Sequence, residues 1–355
     1  MLKQRREETD AIMKCKGITI AGNIIVDVVK EIDRYPDIGM LVNIRDVAKA
    51  VGGCVPNTSI NLAKIDGNIP INVLGRVGDD ENGRYVLGKM RENGIETKDV
   101  VISGTKMTSF DDVMSLRGGE RTFFCMQGAN SEFCPSDIDI DMLDCEIFHI
   151  GYILLLDEFD ASDAEYGTVM AGFLAQLQNK GIKTSIDVVT SAGGDYASKI
   201  TPALRYCSYA IMNEIECSSI WNVDVYMPDG TLNVYRIRDC MERMASVGVK
   251  DKVIIHCKEA AFVLDVKTGN FESVASLNIP GSVIKGSVGA GDAFCAGCLY
   301  GLYNGYSDRK LIEFASAAAA CSLFEANAVD GMKSRDDLAL LENKYGRRKL
   351  LNIAD

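Results

Sequence analysis

The chain has 355 residues, 47% of them hydrophobic and 25% charged, which suffices for one large α/β domain with an attachment or for two domains. A net charge of −12 leaves no basic surplus to neutralise phosphates, so nucleic acid and anionic membrane are excluded as partners, while a local basic pocket for a small anion stays open. The twelve cysteines are spread through apolar segments without a repeating spacing, the pattern of reduced thiols in a cytoplasmic protein rather than of a disulfide framework.

Residues 1–16 form a charged N-terminal segment without an apolar signal core, and no later run has the length of a membrane span. GITIAG (17–22) predicts a short buried strand. Residues 24–51 then alternate like extended ribbons around a Pro-containing turn. VGGCVPNTSINLAKI (51–65) sets Gly52 and Gly53 ahead of a helix. MTSFDDVMSLRGGERTFFCMQG (107–128) predicts two strands joined at Gly118-Gly119. The insertions near 24–51 and 107–128 together predict a small antiparallel β lid beside the main domain.

Residues 162–181 predict a helix opened by a capping box of Ser162 and Glu165 and stopped at Gly181. Strands are expected at 184–189, 209–212 and 253–257. A strong helix follows at 307–326, its alanines suited to close packing, and residues 336–355 form a C-terminal helix and tail. This alternation implies an α/β fold, a mostly parallel sheet with helices on both faces.

The stretch KGSVGAGDAF (285–294) concentrates the chemistry. Glycines before a helix let backbone amides approach a phosphate, and the helix start adds a partial positive charge. No GxxxxGK[ST] occurs, and Phe294 breaks the dinucleotide fingerprint GxGxxG. Asp292 either caps the helix or acts as a base where negative charge develops only transiently, as in phosphoryl transfer to an alcohol. Cys295 and Cys298, a CxxC on the same helix, are expected as small core residues. His149 and His256, each at a strand end, are expected in satisfied structural roles.

The series Gly52-Gly53 with Asn57, then GRVGDDENG (75–83), IMNEIE (211–216) and the GAGD turn closely resembles the ribokinase-like, or PfkB-type, carbohydrate kinases, from about residue 17 to 335. The resemblance implies a ribokinase-like three-layer αβα sandwich with a lid. It implies a kinase using ATP and Mg2+, in which Asp292 takes the proton from the acceptor hydroxyl and Gly289, Ala290 and Gly291 form the anion hole. Asn23, Asp27, Gly52, Gly53 and Asn57 would bind a small sugar. Asn213 and Glu216, the family's NxxE, would organise magnesium through water. Lys258 and Ser316 would line the nucleotide site.

There are departures too. HCKEAA (256–261) lacks both glycines of the family's nucleotide segment. Cys54 stands where ribokinase carries lysine, and the aspartate of the monovalent-cation site is replaced by Gly286, so no potassium is expected. A homodimer through the lids is expected, because an exposed sheet face needs covering. GNIIVD (22–27) keeps a nucleoside kinase open as the acceptor alternative. Outside catalysis, a silent sugar-binding regulator and an NAD-dependent oxidoreductase are the competing readings.

Overall fold

The computed structural model describes residues 16–116, 121–191, 193 and 195–349. The strands of its two larger sheets are, in chain order, β1 (Gly17–Gly22), β2 (Ile25–Ile32), β3 (Ile44–Gly52), β4 (Ile71–Leu74), β5 (Phe110–Leu116), β6 (Arg121–Met126), β7 (Cys145–Ile153), β8 (Lys183–Val188), β9 (Tyr209–Asn213), β10 (Lys252–His256), β11 (Ala260–Asp265) and β12 (Phe271–Ala275). The helices are α1 (Cys54–Ile65), α2 (Glu81–Glu92), α3 (Val169–Asn179), α4 (Tyr196–Leu204), α5 (Glu214–Trp221), α6 (Val234–Val247), α7 (Ala290–Tyr303), α8 (Asp308–Ser322) and α9 (Arg335–Tyr345).

The 8-stranded sheet has the order β12-β11-β10-β9-β8-β7-β1-β4. The strands from β10 to β4 run parallel, and β11 and β12 turn back antiparallel at one edge. Its strands are apolar on both sides, as a sheet covered twice requires. Ile18, Ile20, Ile147, Ile211 and Ile254 face a core shared with α1, α2, α7, α8 and α9. The alternate residues Ala21, Phe148, Ile150, Met212 and Ile255 face a second core under α3 to α6. The expected αβα sandwich follows from this double patterning.

The chain leaves β1 towards β4 on one side and returns to β7 on the other. Such a reversal opens a crevice at the carboxyl ends of the strands. Asp27, Tyr152, Asp187, Asn213 and His256 lie at or just beyond that edge, all lining cavities there.

The 4-stranded sheet has the order β3-β2-β5-β6. It consists of two antiparallel hairpins, β2/β3 and β5/β6, joined by parallel pairing of β2 with β5. The Gly118-Gly119 turn lies outside the described residues, but the strands flanking it pair as far as Ser115 with Arg121.

One expected element is corrected. The helix predicted over 162–181 begins only at Val169, where the Thr168 hydroxyl accepts from the Ala171 amide at 3.2 Å. The Asp163 carboxylate instead takes the amides of Glu165 and Tyr166, at 2.9 and 2.7 Å. That local turn competes with helix and makes a short ribbon of Ser162–Asp163 against Gly167–Thr168. The alanine-rich helix is α8, and it lies so close to α7 that a Cβ on Gly297 would come within 2.7 Å of Ala315 Cα.

The second core is organised by aromatic rings. Phe173 packs edge-on against Phe148 and Phe159, with centroids 5.6 and 5.3 Å apart, and Phe159 lies 5.3 Å from Phe133. All four rings are fully buried. Phe173→Ala should therefore lower unfolding stability by about 3–5 kcal/mol. Urea titration checks this: the midpoint should fall with the slope unchanged, and an unaltered midpoint would contradict the packing.

Candidate active site

The Gly-Gly pair is dictated by two close approaches. Gly53 has φ 84°, and a Cβ there would lie 2.5 Å from the Asn23 carbonyl oxygen. A Cβ on Gly52 would lie 2.4 Å from the Asp27 carboxylate. The chain can thus pass from β3 into α1 directly beneath β1, delivering Asn57 to the crevice. Cys54 is buried there, its Sγ 3.2 Å from the Asn23 amide.

Asn57 Nδ2 donates to Asp292 Oδ2 at 2.9 Å, and the Tyr152 hydroxyl donates to both oxygens of Asp292 at 3.0 Å. These bonds engage both carboxylate oxygens of Asp292 away from its own helix. It is the third residue of α7 and makes no capping bond, since both oxygens face other elements. It is only 5% exposed. Burial pushes its carboxyl up to about 7; Asp187 adds to the rise, while Asn57 and Tyr152 oppose it. A carboxylate in this range holds or releases a proton near neutrality.

Asp292 borders two cavities. One, of about 790 Å³, is lined by Asp27, Gly53, Asn57 and the inner face of the small sheet. The other, of about 260 Å³, is lined by Asn213, Glu216, Gly289, Ala290 and Gly291. Gly289 takes φ 75° at the turn. Among the described residues the amides of Gly289 and Gly291 meet no acceptor, whereas that of Ala290 turns back to the Ser287 carbonyl at 3.4 Å.

Tyr152 and Asp187 carry no local signature and are absent from the sequence-derived site. Tyr152 has φ 61° and Leu154 φ 89°, a left-handed backbone that non-glycine residues adopt at a cost of about 1–3 kcal/mol each. The Tyr152 amide donates to Asp187 Oδ1 at 2.6 Å, fixing this conformation. Asp187 Oδ2 lies 3.3 Å from His149 Nε2, and His149 Nδ1 meets Ser185 Oγ at 2.9 Å. Cys295 Sγ lies 3.5 Å from the same Nε2. His149 is thus the satisfied structural histidine expected, and Cys295 and Cys298 are buried core thiols. His256 packs on Phe294 at 4.6 Å, and burial lowers it to about 4, so it is neutral at physiological pH.

Asn213 and Glu216 form a reciprocal cap on α5. Asn213 Oδ1 accepts from the Glu216 amide at 2.8 Å, and Glu216 Oε2 accepts from the Asn213 amide at 2.9 Å. Thr190 also donates to Glu216, at 2.9 Å. Burial pushes Glu216 up to about 8. Three carboxylates, Asp187, Glu216 and Asp292, therefore border the 260 Å³ cavity. An oxygen-lined, under-compensated site of this kind fits a hydrated divalent cation.

Beyond it lies a third cavity of about 460 Å³, with walls from Ala260, Ala261, Phe294, Ser316 and Leu323. The Ser316 hydroxyl is spent on the Ile312 carbonyl at 2.6 Å. Lys258 stands at the rim, its side chain exposed and 3.4 Å from Glu259. Two expected contacts lie outside the cavity lining. Asn23 is 1% exposed, with its Nδ2 unpaired, and does not line the 790 Å³ cavity. Gly52 likewise supports Asp27 from behind rather than lining the cavity.

Residues 17–335 match the pfkB family carbohydrate kinase profile. Curated relatives include the 5-dehydro-2-deoxygluconokinase of Shouchella clausii, 24% identical over 85% of this chain and 89% of that one. The ribokinase of Arabidopsis thaliana is 23% identical over 91% of this chain and 80% of the relative. Among solved structures, Arabidopsis thaliana ribokinase complexed with ribose and ATP superposes with a TM-score of 0.76 at 19% identity, covering 92% of this chain and 98% of that one. The nucleoside kinase of Methanocaldococcus jannaschii gives a TM-score of 0.71 at 18% identity, covering 92% and 98%. With the family match running through both sheets and every residue of the crevice, the chain belongs to the pfkB family of carbohydrate kinases.

Proposed function

We propose that the protein transfers the γ-phosphoryl group of Mg-ATP to a hydroxyl, in the first instance a primary one, of a small carbohydrate. The observation that carries this reading is Asp292, a buried carboxylate held by Asn57 and Tyr152 at the junction of two cavities. The acceptor occupies the 790 Å³ chamber, with Asp27, Gly53 and Asn57 around it. Its hydroxyl donates to Asp292, which takes the proton as the oxygen attacks. The Gly289 and Gly291 amides and the α7 N-terminus stabilise charge on the moving phosphoryl group.

The nucleotide base takes the largely apolar chamber walled by Ala260, Ala261 and Ser316, with Lys258 at its mouth. Asn213, Glu216 and Asp187 are the residues to hold magnesium through water. The ion, when bound, neutralises phosphate charge. The small sheet closes over the acceptor, excluding water that would otherwise be phosphorylated. Phe123, on its inner face, offers a ring to a planar base and keeps the nucleoside alternative in view.

Asp292→Asn should lower kcat by about 10²–10⁴-fold with little change in KM for ATP. A coupled ADP-release assay over ketoses, aldoses, polyols and nucleosides provides the readout, and a variant retaining wild-type kcat would sink the mechanism. The same substitution should raise the melting temperature by a few degrees at pH 8. Burial pushes the folded carboxyl from 3.8, its ordinary value, up to about 7, so the fold binds more protons than the unfolded chain between about pH 4 and 7. Stability supplied by the protonated form is lost as pH rises through that window, and the amide removes the loss. Calorimetry at pH 8 showing no gain would contradict the assignment.

The pH profile follows from the same group. kcat/KM should rise with pH and level off above about 7, because the base must be ionised. A profile flat from pH 5 to 8 would argue against Asp292 as the base.

The exposed face of the small sheet supports a homodimer. Val47, Phe124 and Met126 are about half exposed, at 57%, 55% and 45%, on the side opposite Asp27 and Asp111. Size-exclusion chromatography should give twice the chain mass. Elution as a monomer would remove this interface.

A further inference from the structure

The acceptor cavity has a wall of carboxylates that the protein itself leaves uncompensated. Asp27 on β2 and Asp111 on β5 are direct partners in the parallel register, so their side chains leave the same face of the small sheet. Both line the 790 Å³ cavity, together with Cys125, the partner of Asp111 on β6. Asp27 is 9% exposed. Among the described residues its carboxylate has neither a hydrogen bond nor an ion pair, although it faces a cavity shared with Asp292. Asp111 takes the Cys125 thiol.

The cations of the cavity stand elsewhere. On β6, residues 121, 123 and 125 share one face, which places Arg121 two steps along from Cys125, at the outer end. Its guanidinium donates to the Ala326 carbonyl at 3.2 Å. Lys285 pairs with Glu325 at 2.9 Å. Burial and Asp111 push Asp27 up to about 7, and Arg121 opposes them. Asp111 is raised by burial as well. Asp27 in turn adds to the rise at Asp292.

A neutral diol offers this wall two hydroxyl donors and no charge. A sugar acid would add a third carboxylate. An ammonium group supplies three donors and the missing positive charge at once. We infer that the Asp27–Asp111 pair selects an acceptor carrying a protonated amino group, an amino sugar or aminated polyol, whose free hydroxyl reaches Asp292. Asp111 is then the residue that sets specificity, and the inference rests on the kinase reading of the cavity. Phosphoryl transfer is unchanged by it: the hydroxyl oxygen bonds the γ-phosphorus as the bond to the bridging oxygen breaks and ADP leaves, the hydroxyl proton goes to Asp292, and the ammonium takes no part in bond making.

Titration calorimetry without nucleotide tests the pair directly, using glucosamine and 1-amino-1-deoxyfructose against glucose, fructose and gluconate. The amino compounds should bind at least about tenfold more tightly than their hydroxyl counterparts, as expected for a charge-assisted contact. Asp111→Asn should bring that ratio close to one, and Asp27→Asn should do the same. Equal or weaker binding of both amino compounds, no binding by either, or a ratio that survives both substitutions would overturn the inference. ADP release with neutral sugars that Asp292→Asn abolishes, without any amine preference, would leave the kinase reading standing while this one falls. Amine-selective binding with ADP release untouched by Asp292→Asn would do the reverse.

Discussion

A carboxylate can serve as a base for an alcohol only if the protein keeps it out of water yet leaves it ionisable, and on the proposed reading the crevice meets that demand at Asp292. Its two holders come from opposite directions. Asn57 arrives on α1 after a glycine pair that tolerates close contact with Asn23 and Asp27, and Tyr152 arrives on β7 through a left-handed turn. Neither alone would fix the carboxylate. Together they turn it away from its own helix, which would otherwise claim it as an N-terminal acid.

Behind these holders is a second tier. His149, Ser185 and Cys295 position Asp187, and Asp187 in turn fixes the Tyr152 amide. Asp187 also helps to keep the Asp292 carboxyl near 7. One buried acid thus both orients and tunes another. This arrangement explains why a histidine and a thiol sit buried beneath the crevice.

Local chemistry made part of this site readable in the sequence. GAGD announces a helix start with an acid in its first turn, and Gly52-Gly53 announces a close approach. The double-sided strands announce a covered parallel sheet. Tyr152, Asp187 and Asp111 lack any such signature, because each becomes significant only through a partner far away in the chain. Asp111 meets Asp27 by strand pairing, and Tyr152 meets Asp292 across 140 positions. Asn23 shows the converse: a polar residue at a strand end reads as a sugar ligand, yet in the fold it is buried and outside the cavity lining. The misplaced start of α3 has a similar origin, since the turn at Asp163 outcompetes the Ser162/Glu165 cap that encloses it.

The parallel join at the centre of the small sheet has a kinetic consequence. Two hairpins can each zip locally, but a parallel seam between them needs a crossover, and here that crossover includes β4, α1 and α2 of the main body. The seam therefore assembles only after much of the sandwich exists, at a high loop-closure cost. It follows that the small sheet over the 790 Å³ cavity is completed late in folding.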